Sequence, residues 1–400
     1  MSLGGAEGKP DTMHLRRLLA SALTAASLAA FTPAASQAAP PAVSRVTPPT
    51  VSRAAPPTAA GTGLVLPAPT GPYPVGVTDL HLVDRHRADP WVAAGRRELM
   101  VSLWYPAAGA DGRHRPYVTS AESALILQQL EVEGVPTGIL STVRTSARTG
   151  APPLSHRGGL PLVMLSPGFS FPRSSLTALA QDLASRGFVV AGVDHTYEAA
   201  AITFPDGRVT TCLVCTMLRD FAVTPGQVTA SRAEDLSFVL DQLADHAYAG
   251  IRVDPRRVAV AGHSIGGASA AVVMLRDRRF AAGANLDGTF YPPVTTALRR
   301  PFLMVEAESH GADPSWNTTW THLSGWRCRL TVAGLTHGSF TDYAVLGDQV
   351  GLPTQTATGA RSAEITRTYV AAFLDRQLRH RYAPLLDGPS AAFPEVTVRR

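Results

Sequence analysis

Val258-Ala259-Val260-Ala261-Gly262-His263-Ser264-Ile265-Gly266-Gly267-Ala268-Ser269 decides the fold. Val258 to Ala261 read as a short buried strand, and the small residues after Ile265 read as the start of a helix. Between them sits Gly-x-Ser-x-Gly. A strand that turns sharply into a helix lifts the serine hydroxyl clear of the sheet, and glycines on either side let the backbones pass closely. A side chain at Gly262 or Gly266 is expected to clash. The helix also points its free N–H groups at the turn, where they can face a developing negative charge.

Strands and helices alternate on both sides of this unit. Residues 98–105 read as a strand near one edge of the sheet, because they alternate and end at Pro106. Residues 160–165 and 188–193 are apolar runs of the kind buried parallel strands need. Residues 282–286, 302–307 and 329–332 read as three further strands. Helices are expected at 174–186, 265–276 and 363–378. At 231–246, Leu236, Val239, Leu240 and Leu243 fall at i, i+3, i+4 and i+7. Residues 121–147 read as helical material inserted before the next strand. The expected fold class is α/β: an α/β-hydrolase fold, with a mostly parallel central sheet and helices on both faces.

A serine hydroxyl needs a base to take its proton, and the usual order in this fold is serine, acid, histidine. His337 follows the last apolar strand and is the expected base, with His310 and His322 as rivals; His263 is expected to pack locally. The acid is Asp287, at the end of the strand 282–286, or else Glu306, Glu308 or Asp313 one strand later. Asp287 fits best, because a glycine turn follows it. An oxyanion hole needs two backbone N–H groups. Ile265 supplies one, and Phe169 in Ser166-Pro167-Gly168-Phe169-Ser170 supplies the other.

The remaining features bound the setting. The chain has 400 residues, 45% of them hydrophobic and 17% charged, which suits one large domain with extensions. The net charge is +5. No dense basic run with interleaved aromatics occurs, so nucleic-acid binding is excluded as a reading. Residues 1–38 read as a secretory signal, with Met13 as an alternative start. Arg16 and Arg17 precede an apolar run, and Ser36-Gln37-Ala38 offers a cleavage site. Residues 39–62 read as an Ala/Pro-rich linker, 63–385 as the catalytic domain and 386–400 as a loose tail. Of Cys212, Cys215 and Cys328, two are expected to pair and one to remain. No set of four zinc ligands is present, and neither metal nor cofactor is expected.

Taken together, the residues resemble the plasma-type (group II) platelet-activating factor acetylhydrolases and their bacterial lipase-like relatives. The resemblance runs over most of residues 64–345. It includes Thr-Gly-Pro-Tyr-Pro-Val-Gly at 70–76, Leu-Trp-Tyr-Pro at 103–106, Asp-Leu-Ala-Ser-Arg-Gly-Phe at 182–188, Val-Asp-His at 193–195, Gly262-His263-Ser264, Leu286-Asp287 and His337. Two features depart from it. Pro167 stands where the family usually has histidine, and the Cys212/Cys215 segment is an addition. The resemblance implies a calcium-independent esterase with Ser264, Asp287 and His337 as its triad and Phe169 and Ile265 as its oxyanion donors. With the secretory signal, the expectation is a secreted monomer acting on small-molecule or lipid esters, with peripheral contact to lipid surfaces. A broader lipase or polyester hydrolase, and a secreted binding protein that lost catalysis, are the alternatives.

Overall fold

The computed structural model describes residues 63–400. The expected signal and linker, at 1–38 and 39–62, lie outside the described residues. The strands are β1 (Val75–Ala88), β2 (Arg96–Pro106), β3 (Arg113–His114), β4 (Arg148–Thr149), β5 (Leu160–Ser166), β6 (Val189–His195), β7 (Ile202–Thr203), β8 (Val209–Thr210), β9 (Val253–His263), β10 (Phe280–Leu286), β11 (Phe302–Ala307), β12 (Arg327–Val332) and β13 (Val396–Arg399). All but the small β7–β8 hairpin join one sheet, ordered β13-β12-β11-β10-β9-β5-β6-β2-β1-β4-β3.

From β6 through β5, β9, β10 and β11 to β12, neighbouring strands run parallel. Side chains alternate across this centre. Val163, Leu165, Ala259, Ala261, Leu303 and Val305 face one apolar layer. Leu162, Met164, Val258, Val260, Phe302 and Met304 face the other. The helices Thr177–Ser185 and Gly359–Arg379 cover the first layer, and Pro225–Asp245 and Ile265–Arg276 cover the second. This is the expected α/β-hydrolase architecture, driven by burial on both faces. Among the described residues no helix is long and apolar enough to cross a membrane.

Three expectations change. The strand expected near an edge, β2, is near one but not outermost, because an unexpected strand, β1, pairs antiparallel along its length. Of β1 only Val75, Gly76, Val77 and Leu82 are buried; its far half carries Asp84, Arg85, His86 and Arg87, so no apolar run marks it. The inserted segment is less helical than its composition implied. It holds one helix, Ser120–Gln129, capped by the Thr119–Glu122 box, and a short turn at Ile139–Thr142. Gly134 and Pro136 between them break the helical pattern. Its apolar residues Ile126, Leu127 and Leu140 pack against Leu64, Leu66 and Leu346. The third change is at the C-terminus. Residues 386–400, expected as a loose tail, belong to the fold: β13 pairs antiparallel with β12. Leu386, Phe393 and Val396 are buried, and Arg361 holds Glu395 through two 2.9 Å contacts. An otherwise open sheet edge is covered this way, and the domain runs to the end of the chain.

Candidate active site

The C-terminal ends of the central parallel strands converge, as open α/β sheets require for a site. In register, Leu286 stands beside both His263 and Val305, and Ala307 beside Val332. Ser264, Asp287 and the loop leading to His337 therefore leave the sheet at one place.

Ser264 sits on the sharp turn between β9 and the helix Ile265–Arg276, at φ 56° and ψ −130°. Such a conformation costs a non-glycine residue on the order of 1–3 kcal/mol. The expected glycine clashes are present. A Cβ at Gly262 would lie 2.2 Å from the Gly266 carbonyl carbon, and one at Gly266 would lie 2.1 Å from the Ser166 carbonyl oxygen. Gly288 is equally constrained, since a Cβ there would meet the Ser264 carbonyl oxygen at 1.9 Å. The Asn285 amide clasps that turn by donating to the Gly288 carbonyl at 2.7 Å and accepting from its N–H at 2.8 Å.

A continuous chain of contacts follows. His337 Nδ1 lies 2.7 Å from Asp287 Oδ2, and His337 Nε2 lies 2.9 Å from Ser264 Oγ. A carboxylate only accepts, so Nδ1 carries the proton and Nε2 is free to accept from the serine hydroxyl. The His337 side chain is 54% exposed, whereas Asp287 is 1% exposed. Asp287 Oδ1 accepts the Ala307 N–H at 2.7 Å. Burial alone would raise the Asp287 carboxyl; hydrogen bonds from His310 and His337 outweigh it and hold the group at about 2. Asp287 is thus an anion at any working pH.

The other candidates go elsewhere. Glu306 pairs with Arg329, Glu308 accepts from the Gly334 N–H, and Asp313 caps the helix Pro314–His322. His322 bonds within its own helix. His310 touches the far side of Asp287 at 3.1 Å rather than Ser264. His263 is buried and neutral: burial, then the neighbouring His337, push it down to about 3. Its Nε2–H donates to the His337 carbonyl at 2.8 Å, which ties the His337 loop to the elbow.

The loop Ser166–Ser170 lies against the nucleophilic turn. A Cβ on Gly168 would stand 3.4 Å from Ser264 Cβ. Beneath this loop is a second Ser-His-Asp array: Ser166 Oγ to His195 Nε2 is 2.9 Å, and His195 Nδ1 to Asp235 Oδ2 is 2.8 Å. All three side chains are buried. Burial, then the Arg232 cation, push His195 down to about 3, so it stays neutral. The array is sealed from substrate. Arg97 bonds Asp235 with two nitrogens, at 3.0 and 2.6 Å. Arg232 donates to the Pro167 carbonyl and to Glu198, both at 2.6 Å. Sequence reasoning missed this network, because Arg232 lies within an amphipathic helix and reads as a solvated residue. Replacing Arg232 with Met should cost about 3–5 kcal/mol, since buried Glu198 loses its main partner. Thermal unfolding of the purified variant checks this.

The rim beside Ile265 is apolar. Val214, Val223 and Val228 pack on Ile265, with half-buried Trp91, Phe169, Tyr197, Met217 and Leu218 around them. Cys212 and Cys215 form a disulfide at the start of the helix Leu213–Arg219 in this rim. Cys328 is the unpaired cysteine; it is buried, and burial pushes its thiol up to about 11. A cavity of about 280 Å³, lined in part by Trp104, Tyr117 and Arg173, lies apart from Ser264, Asp287 and His337. Among the described residues no cluster of His, Cys, Asp or Glu suited to a metal ion occurs.

The fold and the esterases it resembles define the class: a carboxylic ester hydrolase built on the α/β-hydrolase fold. The model of the family "Platelet-activating factor acetylhydrolase, isoform II" matches residues 59–211 and 214–382. The chain belongs to this family. It is 28% identical over 383 residues to an Arthroderma benhamiae protein described as "Probable 1-alkyl-2-acetylglycerophosphocholine esterase", covering 84% of this chain and 94% of that one. It is 25% identical over 310 residues to the platelet-activating factor acetylhydrolase of Cavia porcellus, covering 70% and 69%. A solved ferulic acid esterase from Streptomyces cinnamoneus superposes with a TM-score of 0.76 at 45% identity, covering 84% of this chain and all of that one.

Proposed function

We propose that the protein hydrolyses carboxylic esters through an acyl-enzyme on Ser264. The observation that carries this is the unbroken contact chain from Ser264 through His337 to Asp287. As Ser264 Oγ attacks the ester carbonyl, its proton passes to His337 Nε2. Asp287 keeps the imidazole in the tautomer that can accept it and stabilises the cation that forms. The backbone N–H groups of Phe169 and Ile265 face the oxyanion of the tetrahedral intermediate. Collapse expels the alcohol, which takes the proton back from Nε2. Water, deprotonated by the same nitrogen, then attacks the acyl-enzyme and releases the acid, restoring Ser264.

The substrate is a short-acyl ester of a lipid or phospholipid, the chemistry named for the Arthroderma and Cavia relatives. A second reading has its own support. Trp91, Phe169 and Tyr197 beside Ile265 suit a flat aromatic acyl group, and the 45% identical neighbour is a ferulic acid esterase. A kcat/KM series on p-nitrophenyl acetate, butyrate and decanoate, with methyl ferulate alongside, separates them. The short-acyl reading predicts acetate at least about 10-fold above decanoate and methyl ferulate near background, since each methylene in an apolar pocket shifts discrimination by about 1–3 kcal/mol. Methyl ferulate above acetate establishes the aromatic reading instead. The expected signal at 1–38 and the Cys212–Cys215 disulfide both support export, because disulfides persist in oxidising compartments. One chain holds the whole array, so a monomer suffices.

A further inference from the structure

His310 stands behind the acid, not beside the serine. It lies in the turn Glu308–His310 after β11, with its ring 4.8 Å from that of buried Trp316. Its Nδ1 is 3.1 Å from Asp287 Oδ1, and its Nε2 is 3.3 Å from Asp313 Oδ2. Both partners are carboxylates, which accept and do not donate. Both ring nitrogens must therefore carry protons, and the ring is a cation.

We propose that His310 is a positioning residue of the ester hydrolase, an imidazolium clamped between Asp287 and Asp313 that fixes the triad acid and sets the alkaline limit of activity. The inference rests on Asp287 being that acid. The Asp287 carboxylate is then held at three points: His337 on Oδ2, and His310 with the Ala307 N–H on Oδ1. A carboxylate bonded at one oxygen only could rotate; this one cannot without breaking a charge-assisted bond.

The groups facing His310 are few. Asp287 comes from the end of β10, and Asp313 from the cap of the helix Pro314–His322. Trp316 contributes an uncharged face. Glu308, in the same turn, is engaged by the Gly334 N–H, and Glu306 by Arg329. Burial disfavours the cation, but hydrogen bonds to Asp287 and Asp313 more than compensate and raise it to about 9. The proton is thus retained below that pH and lost as pH rises through it. Loss of the proton removes one donor, and the ring can no longer hold both carboxylates.

The test is the pH profile of kcat/KM on p-nitrophenyl acetate for the wild type, His310→Gln, Asp313→Asn and Asp287→Asn, each with a melting curve. We expect wild-type activity to fall above pH about 9. In Asp313→Asn the alkaline limb should move down by about half a unit or more, because His310 loses one of its two carboxylates. In His310→Gln that limb should disappear, and kcat should fall about 10-fold near neutrality with little change in KM. Profiles of His310→Gln and Asp313→Asn that superimpose on the wild type, while Asp287→Asn is inactive, overturn the role of His310 and leave the triad standing. Full activity in Asp287→Asn overturns both.

Discussion

Ser264→Ala should lower kcat/KM on p-nitrophenyl esters by about 10⁵–10⁶-fold, the scale on which loss of a serine nucleophile acts. The hydroxyl is the atom that bonds to the acyl group, and the other groups at the turn cannot replace it. His263 is buried and donates to the His337 carbonyl. The substitution removes one oxygen from a side chain that faces the open site. Ala occupies the same backbone conformation at the same strain as Ser. The fold should therefore persist, with a melting temperature near the wild-type value, and the loss will read as chemistry rather than unfolding. The residual rate over background will report what the oxyanion donors and substrate binding contribute alone.

Asp287→Asn should cost about 10⁴-fold in kcat, because the amide can present a donor to His337 Nδ1 and so select the wrong tautomer. The imidazole would then carry its proton on Nε2, facing Ser264, where an acceptor is needed. Two further contacts suffer: the Ala307 N–H and the His310 cation both lose an anionic partner at Oδ1. The matched control is Glu308→Gln. Its carbonyl oxygen can still accept the Gly334 N–H, so activity should stay within about 3-fold, consistent with a surface contact of small energy. A silent Asp287→Asn with a dead Glu308→Gln would move the acid one strand along.

The site was legible where its signals are local. Ser264 stands out because strand, Gly-Ser-Gly turn and helix are contiguous in the chain, and packing requires the glycines. Asp287 and His337 were legible because Asp287 directly follows β10 and His337 lies in the loop after β12, and strand ends in this fold gather at one rim. What escaped depends on residues far apart in sequence. The role of His310 needs Asp287, 23 positions earlier, to lie against it. The support of the loop Ser166–Ser170 needs Arg232 to reach Pro167 and Glu198 from a helix 65 and 34 residues away. That reach also accounts for the departure at Pro167, since the loop is held by a backbone carbonyl that any residue supplies. Strand β13 is four residues long, too short for its β-branched Val396, Thr397 and Val398 to mark a sheet strand without the edge of β12 to pair with. The cysteines allowed three pairings, and only the fold brings Cys212 and Cys215 together while burying Cys328.

The central claim is that Ser264 is the residue acylated during turnover. Labelling with a fluorophosphonate probe, followed by peptide mapping, tests it most directly. One adduct per chain is expected, on the peptide containing Ser264, with no label on Ser264→Ala and strongly reduced label on His337→Ala. A label that persists in Ser264→Ala, or an active wild-type enzyme that takes up none, would contradict it.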